Sequence, residues 1–395
     1  MGASTALFLA HRGVRVTLFD EAARPFEGAS RWNEGKIHLG YLYAADPSLE
    51  TARRILPGGL AFKALTEELI GRSLDPVITP GVDTYLIDRR SVVDADATAR
   101  YFAHVAALIE EAGGGGRYLV PFEDGTPQPL SRSELDRDYD TASITAGVRV
   151  PERSVSTRWI ADRFVEALIA EPRVEPRLST RVVAVRRTGG AADSPLVVGT
   201  ADGDEGPFDY VVNALWQGRL AIDAGLGLPL PDVWSHRLRL SVFLQTTEPV
   251  DVPNTVVATG PFGDVKNYNG RDFYLSWYPA GLVAEGVAVD PPHAPALDRG
   301  ERTRIATEIA DRIGRIVRSV ADLQAHTADL RLEGGWVSAL GQGSLADPRS
   351  TLHRRDRIGI TSLGRYLSVD TGKYSIAPWL ARQVTARICG PDARP

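Results

Sequence analysis

Residues 28–43, Gly-Ala-Ser-Arg-Trp-Asn-Glu-Gly-Lys-Ile-His-Leu-Gly-Tyr-Leu-Tyr, hold the densest group of chemically able side chains in the sequence. Ser30, Arg31 and Asn33 crowd hydrogen-bond donors into a short stretch that could grip a pyrophosphate. Gly35 and Gly40 lack the Cβ that would hold a planar ring away from the backbone. His38 is the sole histidine nearby, and its type suits a general base. A hydrogen-bonded structural histidine, with ordinary turn chemistry at Ser30 and Asn33, is the plainer reading of the same residues. Near the other end, Gly372-Lys373-Tyr374-Ser375 leads into a helix with Pro378 in its first turn, where a missing N–H does no harm. Gly372 and Ser375 would leave the free N–H groups of that helix open to an anion or an electron-rich carbonyl. Lys373 would add a cation. An ordinary capped helix with a solvated lysine is the competing reading.

These groups need elements to bring them together. Residues 2–12 read as a helix of small and apolar residues that ends at Gly13. Val14, Val16 and Leu18 then alternate with polar residues as a strand, and Asp20 stands at its end. The spacing Gly2, Ala6, Gly13, Val16, Asp20 is that of the second half of a dinucleotide-binding βαβ unit. There a glycine permits close helix–strand packing and an acid takes the ribose hydroxyls. The first half would place a strand and two more glycines before Met1. The expectation is therefore a native chain that begins about ten residues earlier, with a Val/Ile-rich strand and Gly-x-Gly.

Further along, helical stretches are expected around 48–71 and 94–112, the second capped by Asp94. A glycine loop follows at 113–116, then a Pro-, Asp- and Ser-rich loop region at 121–150. Ile160, Phe164, Val165, Leu168 and Ile169 mark a helix over 157–170. Short strands follow at 182–186 (Val183 among them, facing the cofactor), 196–200 and 208–214. Strict alternation of Leu238, Leu240, Val242 and Leu244, and of Tyr274, Ser276 and Tyr278, makes 237–290 mostly strand. A long helix is expected at 301–321, then a strand, a glycine-containing loop and a last helix over 356–390. The pattern predicts an α/β (α+β overall) chain. A Rossmann-like nucleotide domain would be assembled from 1–45, 151–225 and 330–395. A mainly antiparallel β substrate domain, 46–150 and 226–329, would be inserted into it.

Composition narrows the function. Lys+Arg number 45 against 50 Asp+Glu, a net charge of −5, which argues against nucleic acid as partner. A single cysteine, Cys389, excludes an internal disulfide and any CxxC site, and the scattered histidines offer no zinc spacing. Residues 1–10 lack the features of a signal peptide. No apolar run approaches the roughly 20 residues of a membrane span. A cytoplasmic enzyme with a small-molecule substrate is the expectation.

Taken together, Gly2-xxx-Ala6-x6-Gly13-xx-Val16-xxx-Asp20, Ser30-xx-Asn33-x-Gly35, Asp209-Tyr-Val-Val-Asn213-Ala214 and Thr371-Gly372-Lys373-Tyr374-Ser375-x-Ala377-Pro378 resemble the FAD-dependent oxidoreductases of the D-amino-acid-oxidase-like superfamily, in the family's order. Within it, Asn33-x-Gly35-x-Ile37-His38-x-Gly40-x-Leu42-Tyr43 followed by Pro47-Ser48-Leu49-xx-Ala52 is similar to the loop of L-2-hydroxyglutarate oxidases and dehydrogenases. Its Ile-His-x-Gly core is also similar to flavin-dependent glycerol-3-phosphate dehydrogenases. The resemblance implies FAD as cofactor and a two-electron oxidation, with His38 as base and Lys373 stabilising reduced flavin. It departs at Ala214-Leu215-Trp216, where the family often has Ala-Thr-Gly or Ala-Ala-Gly. The substrate would meet Tyr43 and, from the β-rich part, Lys266, Tyr268 and Tyr274, with Arg271, Trp277 and Tyr278 nearby. Such cations and tyrosines suit an anionic or polyhydroxylated molecule, although alternating aromatics on strands also simply pack. A CH–OH group of a 2-hydroxy-acid-like substrate is expected to be oxidised. Oxidation of an amine or amino acid, an NAD(P)-dependent dehydrogenase and a degenerate cofactor-free binding module are the alternatives.

Overall fold

The first helix, Gly2–His11, is buried from Ala3 to Ala10, as its small and apolar residues on every side require. It packs between the strand Val16–Phe19 and the last helix, Ala377–Cys389. The structure, a computed structural model, describes residues 1–391. Two parallel pairings join distant segments. Val16–Phe19 pairs with Val174–Arg177, and Val211–Asn213 with Tyr366–Asp370, which in turn takes Gly359–Leu363 antiparallel. Among the described residues, Val16–Phe19 and Val211–Asn213 each have one strand neighbour. Val182–Arg187, Leu196–Thr200 and Gly203–Phe208 form a separate three-stranded meander.

The largest sheet has nine strands and is antiparallel except where Thr255–Ala258 runs parallel to Asp83–Asp88. Its long members, Ser235–Thr246 and Thr327–Ala339, pair along nearly their full length. A division at residue 330 falls inside the second of them. One face of this sheet packs on the helix Arg299–Gly314, through Ile305, Ile309 and Ile313. A second core gathers Gly2–His11, Glu50–Ile70, Ala95–Glu111 and Ala377–Cys389. The mixed α/β character matches the sequence expectation. No helix among the described residues is long and apolar enough to cross a membrane.

Several expected elements differ in detail. The stretch 121–150 is not all loop. It holds the helix Arg132–Asp138, with a Ser131/Glu134 capping box, and the strand Ile144–Val150 on Asp83–Asp88. A seven-residue helix that buries only Leu135 leaves too short an apolar pattern to read. The helix at 301–321 is two, Arg299–Gly314 and Val320–Ala325, with Ile316 and Val317 still buried in the turn between them. Ile169 is 76% exposed, so the face of Thr157–Ala170 is narrower than its sequence suggests. Tyr278 leaves the strand alternation and starts a short helix, because Pro279 follows it.

Candidate active site

One cavity of about 1920 Å³ takes its walls from both ends of the chain. Ligand pockets usually span roughly 300–1,000 Å³, so this one has room for a dinucleotide beside a small substrate. Gly2 and Asp20 line it from the first helix and the end of the strand that follows. Ser30, Asn33, His38 and Tyr43 line it from the next loop, and Gly372, Lys373 and Tyr374 from the carboxy-terminal loop. Val183, 55% exposed, stands at its rim, and Tyr274 belongs to the wall formed by the large sheet. The two loops singled out by sequence, some 340 positions apart, thus face the same space.

His38 is 1% exposed. Burial, reinforced by the charges of Lys373, Lys36 and Lys266, pushes its imidazole well below the usual value. The ring is therefore neutral at neutral pH, and its Nδ1 has no hydrogen-bond partner. Nε2 lies 4.0 Å from a carboxylate oxygen of Glu34. The Tyr43 ring is 6.0 Å away, and its buried hydroxyl is likewise unpartnered. Lys373 Nζ stands 5.6 Å from the centre of that ring. Burial lowers the Lys373 ammonium to about 8, against the opposing pull of Glu34. Burial pushes the Glu34 carboxyl up, but Lys373, the local backbone, Lys36 and Arg239 outweigh it and hold it below its ordinary value.

The loop carrying His38 is fastened from beneath. Glu152 is fully buried, and its Oε1 accepts from the Leu39 N–H at 2.6 Å and the Gly40 N–H at 3.2 Å. Its Oε2 accepts from the Tyr85 hydroxyl at 2.6 Å. Lys36, whose Nζ donates to the same tyrosine, lies 3.0 Å from Asp83. On the other side, Asn33 donates to the Ala29 carbonyl and accepts from the Gly35 N–H. Trp216, on the cavity wall, adopts φ +54, a conformation that favours glycine. Its indole N–H, donating to the Trp336 carbonyl at 2.6 Å, holds it there. A tryptophan thus keeps a left-handed turn at the position where the resembling family often has glycine.

Several expected contacts are spent within the protein. Arg31 does not line the cavity; its guanidinium is 2.6 Å from Asp162 and donates to the Phe26 carbonyl. Lys266 is fully buried 2.5 Å from Asp83, and Tyr268 donates to the Glu34 carbonyl at 3.1 Å. Gly35 and Gly40 make room for protein rather than for a ring. A Cβ would sit 2.0 Å from the Val155 carbonyl oxygen at the first and 2.8 Å from Ala52 Cβ at the second. The Gly372 N–H is taken by Asp370 at 3.0 Å, and its φ of +63 shapes a turn against Ile358. Ser375 is buried off the cavity wall, with an unpartnered hydroxyl. Tyr274 accepts from the Ser241 hydroxyl at 3.0 Å, and burial raises Asp20, which accepts from the Ala22 N–H. Sequence reasoning passed over Glu34, Lys36, Asp83, Glu152, Arg239 and Arg355. Glu34 and Lys36 were legible inside the loop; the others sit at positions that no local motif marks.

Helices and strands from both ends of the chain thus stand around one cavity, beside a large and mostly antiparallel sheet. The FAD-dependent oxidoreductase (DAO) family matches residues 1–350, and the chain belongs to that family, whose enzymes are FAD-dependent. No curated protein matches the chain. Among solved structures it is similar to glycine oxidase from Geobacillus kaustophilus (TM-score 0.66, 15% identity, covering 99% of this chain and 92% of that one). It is also similar to iminodiacetate oxidase from Chelativorans sp. BNC1 (0.64, 14%, 100% and 94%). A third is L-α-glycerophosphate oxidase from Mycoplasma pneumoniae with FAD bound (0.60, 12%, 98% and 92%). At these identities the likeness speaks for the fold.

Proposed function

We propose that this FAD-dependent oxidoreductase oxidises the CH–OH group of a small, polar, 2-hydroxy-acid-like substrate, with His38 as the base that takes the hydroxyl proton. The observation that carries the reading is the His38 ring: neutral, buried on the cavity wall, with Nδ1 unpartnered. An alcohol keeps its proton at neutral pH and needs such an acceptor. When bound, FAD supplies a two-electron acceptor for the hydride of the substrate carbon.

The fit to FAD rests on the cavity's volume and on the orphaned polar atoms of His38 and Tyr43 that line it together with Asp20. Gly2, Asp20, Ser30, Asn33 and Val183 would flank the nucleotide part. Lys373 and Tyr374 would stand at the ring. Lys373, beside the leading turn of the last helix, would favour negative charge developing there. Tyr43 and Tyr274 would bound the substrate. Glu34 would steady the imidazole once it is protonated, and the buried loop would keep water from it.

A second reading, oxidation of a CH–NH group, is favoured by the likeness in fold to glycine oxidase and iminodiacetate oxidase. Anaerobic mixing of the flavin-loaded protein with matched 2-hydroxy acids and amino acids separates the two. Bleaching of the flavin by hydroxy acids supports the first reading; bleaching by amino acids alone overturns it.

A further inference from the structure

The chain has four lysines, and among the described residues three of them stand in ion pairs, Lys36 and Lys266 with Asp83 and Lys63 with Asp75. Lys373 stands in none. Glu34, Arg355, Lys36 and Arg239 act on it through charge alone, it acts in the same way on His38, and the Tyr43 ring lies beside it. No carboxylate grips the ammonium, so its place is set by the backbone that carries it.

That backbone is a turn bolted from outside the cavity. Gly372, at φ +63, gives its N–H to Asp370 Oδ1 at 3.0 Å, and the Lys373 N–H goes to the Thr371 carbonyl at 2.6 Å. An aspartate that accepts from the N–H two residues on fixes such a turn. The other oxygen of Asp370 accepts at 3.0 Å from Nη2 of Arg219, 151 positions away. Nη1 of the same guanidinium donates to Asp223 Oδ2 at 3.0 Å and to Ser368 Oγ at 3.2 Å. Asp223 is 1% exposed and also accepts from the Ser368 hydroxyl at 2.7 Å, the Tyr366 hydroxyl at 2.6 Å and the Asn213 amide at 3.0 Å. The planar fork of arginine suits two carboxylates at once, and here it ties the short helix Arg219–Gly225 to the end of the strand Tyr366–Asp370. Thr371, Gly372, Lys373 and Tyr374 line the cavity, whereas Arg219, Asp223 and Asp370 stand off its wall.

We propose that Arg219 and Asp370, anchored by Asp223, are positioning residues that aim the Lys373 ammonium into the cavity by fixing the Gly372 turn. The inference rests on reading Lys373 as the cation that stands at the flavin and deepens it: an ion pair outside the cavity places the charge at the ring. A network that merely knitted strand to helix would lower stability when broken and leave the Lys373 side chain and the flavin as they were.

The test is Asp370→Ala, with Asp370→Asn, whose amide oxygen can still accept from Gly372, as the conservative variant. Protein carrying isotope-labelled lysine gives four side-chain signals by NMR, and Lys373→Met assigns the one in question. In the parent, burial lowers the Lys373 ammonium to about 8. In Asp370→Ala its titration should move up towards the solvated value of about 10.4, and in Asp370→Asn by less. Potentiometry of the FAD-loaded proteins is the second readout: Asp370→Ala should lower the flavin midpoint potential in the parent and add nothing in Lys373→Met. Should Asp370→Ala not fold, Arg219→Gln is read in the same way. A Lys373 titration unmoved by Asp370→Ala overturns the proposal, and so does a potential that Lys373→Met lowers and Asp370→Ala does not. A drop as large in Lys373→Met as in the parent overturns it too. A moved titration with a potential that neither substitution changes would take Lys373 away from the flavin and leave the positioning role standing.

Discussion

Asp83→Asn keeps the shape of the residue and removes one charge from a sealed network. Asp83 is fully buried, with Lys266 Nζ at 2.5 Å and Lys36 Nζ at 3.0 Å. Burial pushes its carboxyl up, but the two lysines win and hold it below the ordinary value. The lysines differ: burial lowers both, yet Asp83 and Glu152 together raise Lys36, while Lys266 stays lowered. The substitution leaves Lys36 with Glu152 at 4.0 Å and strips Lys266 of its close partner. Stranding one buried charge costs about 3–5 kcal/mol. With an unfolding entropy near 2.1 cal/mol/K per residue over 395 residues, that lowers Tm by about 4–6 °C. The Lys266 ammonium must shed its proton in the folded variant, while the unfolded chain keeps it up to about 10.4. The unfolded state then binds more protons, so the deficit shrinks as pH rises towards that value. Calorimetry or denaturant melts at several pH values read both effects. Adding Lys266→Met should restore most of the loss, because removing both charges is often neutral. A single variant within about 1 °C of the parent would refute the reasoning.

Because burial holds His38 neutral below 6.5, the acid limb of the reduction rate should fall well below that pH; a limb at 6.5 or above would mean an ordinary, solvated imidazole. Stability should fall as pH drops below 6.5, where the unfolded chain takes a proton that the folded ring refuses. Lys373→Met should lower the flavin midpoint potential, read by dye-coupled reduction, and in the parent the cation's contribution should fade as pH rises through about 8; an unaltered potential would remove Lys373 from the ring. Glu152→Ala strands two backbone N–H groups and should cost about 1–3 kcal/mol for each, seen in denaturant melts, together with slower flavin reduction. Glu152→Gln, with one carbonyl oxygen left to accept, should recover part of both, and equal effects from the two substitutions would contradict this role.

What the sequence made legible was set by range. Helical period marked Glu50–Ile70, Ala95–Glu111 and Ala377–Cys389, because each buries one face, and Asp94 caps its helix by accepting from the Ala97 N–H. The spacing from Gly2 to Asp20 marked a helix and a strand that do pack together. Partners distant in sequence left no such mark. Lys266 reads as a substrate contact until Asp83, 183 positions away, takes its charge, and Arg31 loses its guanidinium to Asp162 across 131 positions. Arg237 and Arg239 alternate with Leu238 and Leu240, a pattern that elsewhere means a solvent face; here Arg237 is buried, and Arg239, half-buried, stands on the cavity wall. Gly35 and Gly40 carry the loop signal their type suggests, but what approaches them is Val155 and Ala52.

The central claim is that His38 takes the substrate proton in an FAD-dependent oxidation, and single-turnover flavin reduction tests it most directly. His38→Ala, loaded with FAD and mixed anaerobically with the 2-hydroxy acid that bleaches the parent protein, should keep the parent's visible spectrum and be reduced about 10²–10⁴-fold more slowly. Reduction at the parent's rate would contradict the account.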